Sequence, residues 1–456
     1  GFWVHYNSDG QLPLYHAYMW AWTEVFGDRE WVLRAANLPW LVLALAGLQR
    51  AATGVVQQRW MLASFALNGF VWYYLNDARP YVLYVAGACW LTAGMLRLCR
   101  AGSTDAAVAQ GLRECLLGAV VLVGGSVLGV FWVASCLLVL GLLYPAVVRR
   151  VLNAARLQWW WVGLTLLAGG ALLAVAVHSH LSGARANQTA AFSMAGMGYG
   201  LIELLGAAGL GPSRHDLRIS VLRSNPIQLA CMGLLAALSA WAVAVTWWRL
   251  PSRTRLAFAI AVALPLVVMV ALGLVLHWRV VGRHLSAALP AVVLAHAAFL
   301  QHAAGQRHIS KRLVAGALTL GLLAGALAVR LAPRHDKDDY RQAAAWAQQS
   351  LAAGRTVLWL ADERALAYYG LATPGIGYRD SVPPRLIPFS RYPKPGLNPA
   401  ALPDDIVFSP REGVDPGRRA RRLLDTGQYR RVGEAAAFEH YQRVAPDGSP
   451  PRPSSP

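Results

Sequence analysis

The sequence predicts a mainly α-helical, polytopic membrane protein of about ten spans, followed by a small α/β domain at the C-terminal end. Three observations lead there. The 456 residues are 56% hydrophobic and only 14% charged, where soluble domains carry about 25% charge. The apolar residues fall in runs long enough to cross a bilayer, for which about 20 residues are needed. The basic residues between those runs alternate from one side to the other. After residue 333 the pattern changes to short alternating helix and strand signals.

The expected spans are 34–50, 60–75, 81–96, 114–130, 131–148, 158–178, 226–248, 256–276, 284–302 and 313–332. The fourth and fifth come from one apolar stretch too long for a single crossing, divided near Gly129 to Trp132. With the N-terminus outside, five short loops face the cytoplasm: 50–59, 97–113, 149–157, 249–255 and 303–312. They hold fourteen Lys or Arg residues and one acid, Asp105, with Glu114 at a boundary. Lys and Arg are retained on the cytoplasmic side, so this alternation supports both the count and the orientation. It puts the C-terminal domain outside, on the periplasmic face of a bacterial inner membrane. The bacterial assignment is compositional, from abundant Ala, Gly and Arg with lysine only at 311, 337 and 394.

The expected organisation is a membrane domain over 1–333 with outer loops 1–33 and 179–225, a soluble domain over 334–445, and a disordered tail over 446–456 rich in Pro and Ser. In the soluble domain, 338–352 reads as an amphipathic helix and 356–361 as a strand. "DERALAYYG" reads as a second helix, 383–403 as a Pro-rich connection, 404–409 as a strand, "GRRARRLLDTG" as a helix, and 429–444 as one or two strands. There is no glycine-rich phosphate loop and no nucleophile elbow. The chain begins at Gly1 without a signal peptide of the usual form, and 1–32 reads as an ordered polar loop, so upstream sequence is expected.

The net charge of +19 would suggest nucleic acid in a soluble protein; here the positive-inside pattern accounts for much of it, and no nucleic-acid partner is expected. The five cysteines, Cys89, Cys99, Cys115, Cys136 and Cys231, lie in or beside apolar runs without metal-ligand spacing. No metal site, no cofactor and no disulfide framework is expected.

Ionisable groups at an outer membrane surface are costly unless hydrated or used, and four clusters fall there. The stretch 7–40 carries Asp9 followed by Trp20, Trp22, Trp31 and Trp40, a density of aromatics that also suits an interfacial anchor. "YYLNDARPYVLY" (73–84) places Asp77 and Arg79 in a short loop, as a functional pair or as a local ion pair in a turn. The glycine-rich segment 190–218 reads as a re-entrant or surface-lying helix with Glu203, followed by Arg214, His215 and Arg218. Those three suit either phosphate or anionic head groups. "HWRVVGRHLSAALP" (277–290) crowds Arg279, Arg283 and His284 at a span boundary; an anionic lipid-linked substrate or a neighbouring acid would balance them. Carboxylates able to take a proton from an acceptor hydroxyl, beside arginines able to stabilise a departing phosphate, suit sugar transfer from a lipid phosphate.

The landmarks "LPLYHAYMWAWTEVFGDREWVLRAANLP", "ARPYVLY" and "GRHLSAALP" resemble those of bacterial family 39-type membrane glycosyltransferases, whose superfamily includes protein mannosyltransferases and the aminoarabinose transferase of lipid A. "GLGPSRHDLR" and "DDYRQAAAWAQQ" are also similar to bacterial members, so the resemblance runs from residue 8 to about 370. It implies the C-type glycosyltransferase fold and inverting transfer, on the periplasmic side, from an undecaprenyl-phosphate sugar to a lipid, glycan or protein acceptor. The family's catalytic acid lies in the first outer loop, well upstream of the "PLY" landmark, a stretch that would precede Gly1; Asp9 is the candidate present here. The second acid corresponds to Asp77. Donor-phosphate contacts fall to Arg79, Arg279 and Arg283, with His284 where relatives often have Tyr.

Two other readings compete. A polysaccharide polymerase or ligase would need the 179–225 loop to dominate, with no role for Asp77. A transporter would need charges near the bilayer midplane or broken helices in corresponding halves, whereas ionisable groups fall near the span ends and no internal repeat is visible.

Overall fold

A computed structural model describes residues 13–100, 104–126, 128–181, 193–213, 217, 225–275, 282–336, 338–372, 382–388, 402–410 and 419–444. The chain divides into two compact units, Gly1–Gly211 with Ile227–Arg330, and Pro212–Pro226 with Leu331–Pro456.

The first unit is a helical bundle. It opens with α1 (Pro13–Phe26) and α2 (Glu30–Ala35), then α3 (Leu38–Ala52), α4 (Gln58–Ala66), α5 (Gly69–Leu75), α6 (Tyr81–Cys99), α7 (Asp105–Gly125), α8 (Gly129–Leu143), α9 (Pro145–Leu157), α10 (Trp159–Leu181), α11 (Met194–Leu204), α12 (Pro226–Trp248), α13 (Ser252–Val275), α14 (Leu289–Ala304) and α15 (Ile309–Leu331). A 3-10 segment, Gly282–Ala288, leads into α14. Among the described residues seven helices are long and apolar enough to cross a membrane, or eight if α8 and α9, bent by 118°, count as one span. This is a multi-pass membrane protein.

The difference from ten spans has local causes. The expected span 60–75 is two helices that part at Leu67–Asn68. Asn68 accepts from Phe70 N (2.9 Å) as the N-cap of α5 and donates to Leu204 O (3.1 Å). The break's polar groups are thus partnered inside protein, as irregular backbone at membrane depth requires. The pair still carries the chain from one end of the bundle to the other, because α3 and α6 run parallel. Trp90 Nε1 donates to Leu43 O at 2.9 Å, the Arg50 guanidinium lies 5.1 Å over the Trp90 ring, and at the opposite end Asn37 reaches the carbonyls of Leu75 and Asp77. The expected span 131–148 ends at Tyr144, where Pro145 opens α9 as its first residue, a position that needs no N–H. The expected span 114–130 starts earlier, at Asp105, with Thr104 accepting from Ala107 N at 3.3 Å as its cap.

That earlier start moves Glu114 from the span boundary, where the charge pattern put it, into the body of the helix. Its carboxylate is buried and accepts from Arg50 Nη1 (3.0 Å), Arg97 Nε (3.0 Å) and Arg97 Nη2 (3.1 Å). The α6–α7 contact is too close for side chains at its glycines. Gly94 meets Gly111, Gly87 meets Gly118, and Gly125 lies against Leu83 and Tyr84, the glycines of each helix at seven-residue spacing and the two helices in antiparallel register. A Cβ added at Gly94 would sit 2.5 Å from Cys115 Sγ, and one at Gly118 would sit 2.8 Å from Gly87 O. Small residues let membrane helices pack backbone to backbone, where dispersion replaces the hydrophobic drive.

Of the seven membrane-length helices, α13 is the most apolar and the most exposed, whereas α6 and the segment His284–Ala304 are the most buried and among the three least apolar.

The second unit contains α16 (Tyr340–Ala352), β1 (Val357–Leu360), α17 (Arg364–Tyr368), β2 (Leu386–Pro388), β3 (Asp405–Phe408), α18 (Arg419–Leu424), β4 (Tyr429–Ala435) and β5 (Phe438–Arg443). The sheet order is β2-β1-β3-β5-β4, with β1 parallel to both neighbours and β3-β5-β4 antiparallel. Strand β2 lies in the stretch read from sequence as a connection. Asp339 caps α16, accepting from Gln342 N at 2.9 Å. Buried Asp405 pairs with Arg355 (3.0 Å) and His440 (2.9 Å), and Trp346 stacks on His440.

Candidate active site

The polar end of the bundle is built around the start of α6. Leu75 ends α5, Asp77 N donates to Tyr74 O at 3.1 Å, and Pro80, which has no N–H, precedes the first residue of α6. The short loop between is tied down from below. Asn37 is fully buried, and its Nδ2 donates to Leu75 O (3.1 Å) and Asp77 O (2.7 Å). Tyr15, on α1, donates from its hydroxyl to Asn37 Oδ1 at 3.4 Å. Burial, with the Asp77 charge second, pushes the Tyr15 hydroxyl well above the usual tyrosine range, so it stays a donor.

The Asp77 carboxylate and the Arg79 guanidinium are 3.9 Å apart, with side chains 26% and 50% exposed. A pair that open is worth about 0–1 kcal/mol. The carboxylate is reachable from solvent.

Helix α11 brings Glu203 to the same end. Ser193 caps it, accepting from Gly196 N at 3.2 Å, and Gly206 ends it with φ +82°, a left-handed turn suited to glycine. Asn68 ties the last turn of α11 to the break between α4 and α5. The 282–288 segment packs against α6 and α11, and contact at Gly200 and Gly282 leaves no room for a Cβ at either. Glu203 is buried, with its carboxylate against the backbone of Gly282. His284 is half-buried in the same segment, and Leu289, one residue beyond it, lies with Tyr74, Val82 and Val85.

The structure thus places Asp77 and Arg79 in the loop that opens α6, and Glu203 and His284 on α11 and the 282–288 segment, which pack on each other and, through the segment, on α6. Of Arg283 the backbone is described, within the same segment. Asp9, Arg214, His215, Arg218 and Arg279 lie outside the described residues. Among the described residues no group of three or more His, Cys, Asp or Glu is placed to hold a metal ion.

Beside the 282–288 segment an apolar cleft runs between α6, α8 and α13, lined on α6 from Ala88 to Cys99 and by Trp132, Phe258, Ala287 and Ala288 among others. Sequence reasoning missed this cleft, and it missed Asn37 and Tyr15. An Asn two residues before Pro39 reads as an ordinary helix cap, yet the side chain makes no cap hydrogen bond.

The bundle thus carries a carboxylate–guanidinium pair in the loop that opens α6 and an apolar cleft along the same helix from Ala88 to Cys99. No family model matches the chain, and no curated protein does. The chain is similar to the crystal structure of ArnT from Cupriavidus metallidurans in the apo state, at 14% identity and TM-score 0.49, covering 97% of this chain and 89% of that one. It is also similar to ArnT from the same organism bound to undecaprenyl phosphate, at 14% identity and TM-score 0.41, covering 97% and 90%.

Proposed function

We propose that this chain transfers a sugar from a polyprenyl-phosphate-linked donor to a lipid, glycan or protein acceptor, at the periplasmic face of a bacterial inner membrane and within a C-type glycosyltransferase fold. The observation that carries the reading is that the Asp77 loop opens α6 and the 282–288 segment packs on that same helix, with an apolar cleft along it. A lipid phosphate donor asks for those three things together: a carboxylate, basic groups and an apolar berth for the chain.

In this reading Asp77 takes the proton from the acceptor hydroxyl. The acceptor oxygen attacks the anomeric carbon from the face opposite the phosphate, the carbon–oxygen bond to phosphate breaks, and configuration inverts. The lipid phosphate leaves with the bonding electrons, its charge stabilised by Arg79 and Arg283. His284 contributes a ring N–H to the same oxygens, and the prenyl chain occupies the cleft. Glu203 holds the 282–288 backbone in place. Asp9, Arg279, Arg214, His215 and Arg218 are further candidates for base and phosphate contacts.

The test is transfer of radiolabelled sugar from undecaprenyl-phosphate donors by membranes containing the chain. Asp77→Asn and Arg283→Ala are expected to lower transfer at least about 100-fold, in line with loss of a catalytic base or of an oxyanion contact, with membrane insertion intact. Wild-type rates in both variants refute the assignment.

A further inference from the structure

We propose that Asn37 is a positioning residue for the Asp77 carboxylate, holding the loop by its side-chain amide, with Tyr15 setting which way that amide faces. The inference rests on the reading of Asp77 as the base.

Asn37 stands at the N-cap of α3, where an Asn side chain ordinarily accepts from the second or third N–H of its own helix. One of those groups is absent here, because residue 39 is Pro. The side chain turns across the bundle instead. Its two amide hydrogens have two acceptors, Leu75 O at 3.1 Å and Asp77 O at 2.7 Å. Both carbonyls lie at the C-terminal end of α5, where the last helical carbonyls have no partner within the helix.

The two ends of the amide have opposite demands. The nitrogen must face the two carbonyls, so the oxygen must face a donor, and that donor is the Tyr15 hydroxyl at 3.4 Å. Tyr15 is buried and in ring contact with Tyr18, which itself donates to Ala36 O at 2.7 Å, the residue before Asn37. The arrangement therefore runs Tyr15 to Asn37 to the Asp77 backbone. It fixes the peptide that carries the Asp77 side chain. A displacement of about 1 Å at a reacting group can cost about 100-fold in rate.

The chemistry makes Asn37→Asp the informative change. It keeps the shape and replaces both donors by an acceptor, aimed at two carbonyls in a buried place. Burial and those carbonyls raise the pKa of such a carboxyl. When protonated it recovers one O–H donor; when ionised it repels the loop. Purified variants would be assayed for kcat and donor KM from pH 5.5 to 9, alongside Asp77→Asn and Tyr15→Phe, with thermal unfolding of each. Asn37→Asp is expected to lower kcat about 10- to 100-fold with donor KM within about 3-fold, and to gain an alkaline fall in kcat that the wild type lacks. Tyr15→Phe is expected to lower kcat about 3-fold, as loss of one long hydrogen bond would, at unchanged KM.

A folded Asn37→Asp with wild-type kcat across the range overturns the proposal. So does a loss confined to KM, or one without the alkaline limb. If that variant does not fold, Tyr15→Phe decides, and wild-type kcat there overturns the proposal. Wild-type transfer by Asp77→Asn is a different failure: it removes Asp77 as the base, and the positioning role falls with it.

Discussion

Gly118→Ala is expected to loosen the contact on which the bundle closes. A Cβ at residue 118 would lie 2.8 Å from Gly87 O and 2.8 Å from Leu91 Cα. Ordinary contact between such atoms is about 3.5–4.0 Å, so α7 must move off α6 by about 1 Å. Both obstacles are helix backbone and cannot turn aside as a side-chain end would. A gap of that size forfeits a quarter to a half of each dispersion contact along the whole seam, and overpacking of this kind costs about 1–3 kcal/mol. Alanine returns about 0.5–1 kcal/mol of helix propensity, so the net loss is about 1–2 kcal/mol. Gly141→Ala is the control, because nothing lies within 4 Å of a Cβ there, leaving only the propensity gain. A thiol-reactive dye followed on heating in detergent reads the transition, since Cys89 and Cys115 lie on these two helices. Adding Gly87→Ala to Gly118→Ala is expected to cost less than the sum, because the first change has already separated the helices. Equal melting temperatures for Gly118→Ala and Gly141→Ala would refute the reasoning.

Two further perturbations probe buried charge. Glu114→Ala leaves Arg50 and Arg97 without the carboxylate they share and is expected to destabilise the bundle by about 3–5 kcal/mol, the usual cost of breaking a buried pair. Thermal unfolding measures it, and adding Arg97→Ala is expected to restore part of the loss; a single variant as stable as wild type contradicts the cluster. Asp405→Asn removes the charge between Arg355 and His440 and is expected to speed proteolysis of the C-terminal unit in the full chain, with cleavage at the wild-type rate arguing against it.

What was readable in advance follows from how strictly lipid constrains each segment. Every crossing must be apolar and internally hydrogen-bonded, so the runs stand out without reference to their neighbours. The break at Asn68 does not, because its justification is Leu204 O, 136 residues further on. Glu114 was read as a loop boundary because a carboxylate in an apolar stretch has no visible partner until Arg50 and Arg97 arrive from two other helices. The glycines at 87, 94, 111, 118 and 125 were all in view, but a seven-residue spacing acquires meaning only once the two helices are known to pair. At the site, Asp77 and Arg79 were legible as charges in a tight loop. Asn37 was not, since its sequence context is that of a cap and its use is decided by carbonyls on another helix. In the C-terminal unit the strands at 356–361 and 404–409 announced themselves by their apolar residues, while β2 was hidden by the prolines around it.

The inverse relation between apolar character and burial has a consequence for how the protein enters the membrane. A helix released into lipid has to be stable there before its partners arrive, and the transfer of its own side chains decides whether it stays. α13 meets that requirement alone. α6 is less apolar and carries Gly87 and Gly94 on a face matched to a neighbour instead of to lipid. Its partner α7 begins at Asp105, a few residues after α6 ends at Cys99, so the closure cost of bringing the two together is small. α6 is therefore a resident of the bilayer as half of a hairpin. A chain released after Arg100 would offer the insertion machinery a marginal segment, and one that has reached Gly125 would offer a finished pair.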